Sequence, residues 1–236
     1  MTLPAPYYRD EDNGIVLYCG DCLELLPQLD GIDVIVTDPP FGRAFASGWD
    51  GPHQGKQIAG DCDTDIRDAM LQLWRDRPAL VFGSWRRPVA AAKQAIVWDK
   101  GPASGMGNLA IPWKESWELI FVCGSGFKGF RGEGIIHGHT IVTWATRGRL
   151  HPNQKPVGLL VALIRKCVGV VSDPFVGSGT TLVACLRMGR RGVGIEISEE
   201  YCEIAANRLR KERDRTVLFD RAEAEKRKMQ TTFLES

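Results

Sequence analysis

The chain has 236 residues, 44% of them hydrophobic, and a formal net charge of +1. That is enough apolar material for one sizeable core, and it gives no global electrostatic pull towards nucleic acid. No apolar run reaches membrane-spanning length, no signal-peptide pattern opens the chain, and seven cysteines, an odd number, suit no disulfide framework, so a membrane-free protein of a reducing, intracellular compartment is expected.

Gly14 to Cys19 reads as a short strand and Leu23 to Leu29 as a helical turn. Cys19 and Cys22 form a lone C-x-x-C with no second pair at zinc-site spacing, so no metal is expected. Val34 to Thr37, apolar and β-branched, predicts a buried strand. It stops at Asp38-Pro39-Pro40-Phe41, where two prolines fix φ and supply no backbone donor. Gly42 to Asp68 is rich in Gly, Asp and Gln and too long for an ordinary connection, which predicts a mobile loop with a function. A helix over Ala69 to Arg75 follows, then a strand over Ala79 to Phe82, a helix over Pro88 to Gln94 and a strand over Ala95 to Trp98 that runs out at Asp99. Trp117 to Cys123 is a continuous apolar strand apart from Glu118.

From Gly124 to Lys155 five basic residues (Lys128, Arg131, Arg147, Arg149, Lys155) stand against one acid, Glu133. Phe127, Phe130 and Trp144 lie among them, so residues 124–150 read as a small region that could face phosphates and bases. His137 and His139 lack further ligands at metal spacing. Leu160, Leu163, Ile164 and Cys167 put a helix over Pro156 to Cys167. A strand over Val168 to Ser172, a helix over Thr180 to Met188 and a strand over Val193 to Ile197 come next. Ser198 can cap a last helix, whose buried stripe is Tyr201, Ile204, Ala205 and Leu209. The charged tail after Arg210 predicts an exposed, fraying end.

Strands alternating with helices imply one α/β domain with a mostly parallel sheet. Ligands in such sheets bind beyond the carboxyl ends of the strands, and Asp38, Asp99, Asp173 and Glu196 all fall at strand ends on one rim. "DPFVGSGTT" (Asp173 to Thr181) is a strand end, a tight glycine turn and a helix start. A Walker loop would need lysine where Thr180 stands, and a dinucleotide fingerprint would need a third glycine near Val183 or Ala184. A nucleoside without a pyrophosphate fits better. Asp173 would repel a phosphate but suits an ammonium group, and Glu196 can accept ribose hydroxyls. A cationic nucleoside carrying an amino acid, S-adenosylmethionine, matches that chemistry.

The motifs "YCGDCLELLPQLDGIDVIVTDPPF", "HPNQKP" (His151 to Pro156), "DPFVGSGTT" and "GIEISEEYCEIAANRL" occur in that order. Together they resemble the DNA amino-methyltransferases, in the permuted order called the β group. The resemblance covers nearly the whole chain. It implies the Rossmann-like, S-adenosylmethionine-dependent methyltransferase fold, with helices on both faces of the sheet and a small DNA-recognition insert. It implies methylation of an exocyclic amino group in double-stranded DNA after base flipping, as in restriction-modification enzymes. Asp at the first position of Asp38-Pro39-Pro40-Phe41 leans towards adenine N6, where Ser would lean towards cytosine N4.

The resemblance also assigns roles. Asp38 and the Pro39 carbonyl would accept the target N–H groups, Pro40 would hold them rigid and Phe41 would stack on the base. Cofactor contacts would fall on Asp173, Phe175, Gly177, Ser178, Gly179, Thr180, Thr181, Glu196 and Ile197, with Asp38 close by. Asp21 and Cys22 would lie near the adenine, and Asn153, Gln154 and Lys155 around the methionine end, with Lys155 pairing its carboxylate. DNA contacts would fall on Lys128, Arg131, Arg147 and Arg149. So short a reading segment implies a recognition site of a few base pairs unless a second copy of the chain, as a homodimer, adds contacts.

Overall fold

Among the residues that the computed structural model describes (3–40, 64–101, 110–137 and 154–215), nine strands form one sheet. In chain order they are β1 (Tyr8–Asp10), β2 (Ile15–Cys19), β3 (Val34–Thr37), β4 (Ala79–Gly83), β5 (Ala92–Asp99), β6 (Trp117–Cys123), β7 (Ile135–Ile136), β8 (Val171–Asp173) and β9 (Gly192–Glu196). Their order across the sheet is β1-β2-β9-β8-β3-β4-β6-β5-β7. The run β2-β9-β8-β3-β4 is parallel. β6 enters between β4 and β5 antiparallel to both, and β1 closes one edge antiparallel to β2.

Both faces of the sheet are covered, as the alternation of side chains requires. Ile15, Leu17, Val34, Val36, Leu80 and Phe82 point to the face covered by α3 (Val157–Ile164), α4 (Thr180–Arg187) and a helix over residues 199–215, here α5. Tyr18, Ile35, Ala79 and Val81 point to the other, under α1 (Cys22–Leu25) and α2 (Asp65–Trp74). β3 is buried along its whole length, which is why its sequence is an unbroken β-branched run. The predicted Rossmann-like α/β architecture is the one found.

Two expectations change, and one strand was unforeseen. Pro88 to Gln94 is not a helix: β5 begins at Ala92, and buried Arg67 donates to the carbonyls of Arg87 and Pro88, which holds the approach in a turn. Pairing of β5 with β6 overrides the helical preference of its alanines. α2 starts at Asp65, so the last residues of the expected 42–68 loop are helical; 42–63 lie outside the described residues. β1 has too mixed a pattern to be read from sequence.

The carboxyl ends of β2, β9, β8, β3, β4 and β5 share one rim. At that rim the chain leaves β3 for β4 on one side, and leaves β8 for β9 on the other. Adjacent strands whose connections depart in opposite directions open a crevice at their ends. The hydroxyl of Thr37 closes its floor by donating to Asp173 Oδ1 at 2.6 Å.

Candidate active site

Asp38 follows β3 at this crevice. Its Oδ2 lies 2.8 Å from Nζ of Lys155, and the same Nζ lies 2.8 Å from Oε1 of Glu118. Lys155 is buried, and its ammonium sits 4.9 Å from the centre of the Phe82 ring. Glu118 Oε2 lies 3.5 Å from Lys100 Nζ. An alternating row of charges, Asp38, Lys155, Glu118 and Lys100, therefore runs along the rim. The second oxygen of Asp38, Oδ1, is buried with no hydrogen-bond partner among the described residues.

The electrostatics follow from burial and pairing. The Asp38 carboxyl is raised to about 6: burial pushes it up most, Lys155 pulls it down, and Glu118 and Asp173 push it up. Burial works against the charge on Lys155, but Asp38 and Glu118 outweigh it and hold the lysine above its usual range. Lys155 is thus a fixed cation between two carboxylates. The resemblance assigns this lysine to a cofactor carboxylate; the two carboxylates at 2.8 Å here belong to the chain itself. Glu118 escaped the sequence reading, although a lone acid in an apolar strand was its signal.

The glycine turn lies beside this cluster. Asp173, buried at the end of β8, accepts on Oδ1 from Thr37 and from the Phe175 amide, and bonds the Thr181 side chain. Burial raises its pKa, and these bonds oppose the rise. Gly177 has φ +51°, and nothing lies within 4 Å of where a Cβ would stand, so its backbone faces open space. Gly179 has φ +86° and would place a Cβ 3.0 Å from that of Ala205, so it is required by packing on α5. Ser178 and Thr180 turn inward: Arg208 of α5 donates to the Ser178 carbonyl and to Thr180 Oγ1. Burial lowers the Arg208 pKa to about 10. Arg208 is a second residue that the sequence did not reveal as part of this region.

Glu196, ending β9, accepts the Gly177 amide on Oε2 at 2.7 Å and the Ser198 amide on Oε1 at 3.0 Å. The Ile197 amide bonds the same carboxylate, and of its roughly four acceptor sites these three donors leave room for a further one. Ile197 beside it is 56% exposed, an apolar surface at the rim. Asp21 caps α1 by accepting the Leu23 amide at 2.7 Å, and Cys22 is buried with its thiol pushed up to about 12 by burial. Asp21 stands near Glu196, since the Gly20 amide donates to the Glu196 carbonyl.

Among the described residues, not every expected one meets at the crevice. Asp99 ends β5 on the same rim but pairs with His137 Nδ1 at 3.0 Å and with the Gly101 amide. Gln154 is part-buried beside Lys155. Because β6 runs away from the rim, Lys128 and Arg131 follow its far end, where the Lys128 amide bonds the Lys166 carbonyl. Seven residues of strand separate the two ends, roughly 20 Å. A cavity of about 240 Å³ between Asp33, Pro78, Phe127 and Val168 lies at that far end too. Phe41, His139, Arg147, Arg149 and Asn153 lie outside the described residues. Among the described residues no cluster of His, Cys, Asp and Glu is set to hold a metal, and no helix is long and apolar enough to cross a membrane.

Residues 114–207 match the N6/N4 DNA methylase family model. The chain is 46% identical to the type II methyltransferase M.ScaI of Streptomyces caespitosus, over 89% of its own length and 86% of that protein. Among solved structures it is similar to M1.HpyAVI, determined in complex with S-adenosylmethionine, with a TM-score of 0.61 and 23% identity over 83% of this chain and 98% of that one. It is also similar to the cytosine-N4-specific PvuII DNA methyltransferase, with a TM-score of 0.62 and 18% identity over 85% of this chain and 87% of that one.

Proposed function

The chain belongs to the N6/N4 DNA methylase family, and from that premise we propose that it methylates the N6 amino group of adenine in DNA, with S-adenosylmethionine as donor. The observation that carries this reading is Asp38 Oδ1: a buried acceptor without a hydrogen-bond partner among the described residues, on a carboxylate whose other oxygen is held by Lys155. A buried acceptor left unmet costs free energy, and an exocyclic amino group supplies the missing donor.

The residues at the rim fit the donor. Glu196 keeps acceptor capacity for a ribose hydroxyl, Gly177 leaves backbone open to approach, and Ile197 gives an apolar surface for a purine. S-adenosylmethionine, when bound, supplies an electrophilic methyl group on a sulfonium. Asp38 is in turn the group that prepares the acceptor. An amino nitrogen on a base is a poor nucleophile because its lone pair is delocalised into the ring. Oδ1 accepts one N–H and the Pro39 carbonyl the other, which draws the nitrogen towards tetrahedral geometry and localises the lone pair. When nitrogen gains its fourth bond, one N–H proton leaves to Oδ1, and its electron pair stays on nitrogen.

The base must leave the duplex to reach Asp38, at a cost of a few kcal/mol. Phe41, next after Pro40 in sequence, offers a ring whose stacking returns ~1–3 kcal/mol. The carboxylate at the head of the motif supports adenine over cytosine: it is the member of the Asp/Ser pair that fits an N6 target. The test is methylation of plasmid DNA with labelled S-adenosylmethionine, digestion to nucleosides and mass analysis. N6-methyladenine is expected; N4-methylcytosine would overturn the choice of base, and no labelled nucleoside would overturn the activity.

A further inference from the structure

We infer that Lys155 and Glu118 are positioning residues for methyl acceptance: Lys155 holds Oδ2 of Asp38 so that Oδ1 is presented as an anionic acceptor, and Glu118 holds Lys155. This rests on the methyltransferase reading above and assigns within it two residues that touch neither the base nor the donor.

The geometry is specific. A lysine has three donors on a flexible stem, yet Lys155 is pinned at 2.8 Å to two carboxylates that come from different strands. Its backbone is fixed by Pro156, which starts α3. Glu118 is fixed by the register of β6, where it pairs with Trp98 of β5. Without Lys155, Asp38 and Glu118 would face each other across a buried space as like charges, and one would take up a proton. A protonated Asp38 would no longer be an anionic acceptor.

The charges sum usefully. Asp38, Lys155 and Glu118 together carry one net negative charge, set where a nitrogen becomes cationic as it is methylated. Lys100 lies behind Glu118, away from Asp38 by one further pair. Among the described residues the charged groups that face Asp38 are Lys155 from the segment before α3, Glu118 from β6 and Asp173 from β8. Asp173 is already engaged by Thr37 and Phe175. Lys155 is therefore the cation that fixes the ionisation of Asp38.

The test uses the full-length protein and the variants Lys155→Met, Lys155→Arg and Glu118→Gln. The carboxyl of Asp38 is titrated by carbon NMR without cofactor, the pH profile of kcat is measured on plasmid DNA, and S-adenosylmethionine binding is measured by calorimetry. Lys155→Met should move the Asp38 titration and the acid limb of kcat up by ~1 pH unit or more, the usual effect of losing an opposite charge at contact. Activity should return at alkaline pH, and S-adenosylmethionine affinity should stay near that of the parent. Glu118→Gln should move both curves down, because a like charge is removed. Lys155→Arg, which keeps the cation, should leave the acid limb close to its original place.

The opposite signs separate this role from general loss of structure. If Lys155→Met does not fold, Glu118→Gln decides: an unmoved Asp38 titration overturns the proposal. A Lys155→Met protein that loses cofactor affinity while its acid limb stays in place overturns it as well, and returns the lysine to the cofactor. Absence of methyl transfer by the parent protein would defeat the activity reading instead, and the NMR titration would still judge the triad.

Discussion

Asp38→Ala removes the acceptor proposed for the target amino group. The variant deletes the oxygen that has no partner and the oxygen that binds Lys155, but Lys155 keeps Glu118 at 2.8 Å. No buried cation is therefore stranded. The lost carboxylate was also one that burial had already made reluctant to ionise, so the fold should tolerate the change. The kinetic cost should be large. Loss of one preorganised group facing charge that develops in the transition state typically costs ~10²–10³ in kcat. Asp38→Asn keeps an acceptor oxygen but not the charge, and it should fall between the two. Single-turnover transfer of labelled methyl to plasmid DNA measures the loss, and calorimetry with S-adenosylmethionine, which should be unaltered, controls for the donor pocket. Transfer by Asp38→Ala at a rate close to that of the parent would refute the reasoning.

The parent enzyme should lose kcat/KM as pH falls through about 6, because the raised pKa of Asp38 puts its protonation there and only the carboxylate accepts as an anion; a profile flat to well below that pH would contradict it. Glu196→Ala should weaken S-adenosylmethionine binding by ~1.5–3 kcal/mol, the range for a hydrogen bond to a charged group, read by calorimetry. Arg208→Met strips the donor from the Ser178 carbonyl and Thr180 Oγ1 and should lower the unfolding free energy in urea by ~1–3 kcal/mol. Replacing Arg86 and Arg87 together by Ala should make the salt dependence of DNA binding shallower by up to about two charges. The pair Lys128 and Arg131, at the far end of the sheet, should leave that slope alone.

Much of the fold was legible because its central strands β3, β4 and β8 are short and fully buried. β3 and β6 could be bounded from sequence because apolar runs met Asp38 at one end and Gly124 at the other. The acids of the rim were legible for the same reason, since a carboxylate ending an apolar run must emerge at the sheet's edge. Partnership was not legible. Lys155 comes from an apparent loop, and nothing local shows that β6, entering the sheet in reverse, brings Glu118 to meet it. Nor could sequence separate the two glycines of the turn. Gly177 faces open space while Gly179 is pressed against Ala205, and only packing distinguishes those roles. Pro88 to Gln94 misled because the side chain that sets its course, Arg67, lies on another element.

The reversal of β6 also bears on where DNA is expected to lie. A flipped base moves only a short way from its stack, so a duplex that delivers one to Asp38 must cross the rim where β3 ends. β6 starts at that rim and carries the chain away from it, which leaves Lys128 and Arg131 about a strand's length below the reacting groups. β4 runs the other way and ends beside β3. It delivers Ser84, Trp85, Arg86 and Arg87 to the rim, with Trp85 52% exposed and the Arg86 guanidinium 5.1 Å from its ring centre. A half-exposed indole backed by two arginines is equipped both to hold phosphates and to fill the gap left in a stack. Basic composition points to residues 124–150, of which Lys128 and Arg131 follow the far end of β6 while Arg147 and Arg149 lie outside the described residues. Direction along the sheet therefore makes the turn after β4 the DNA contact that the Arg86 and Arg87 double variant tests.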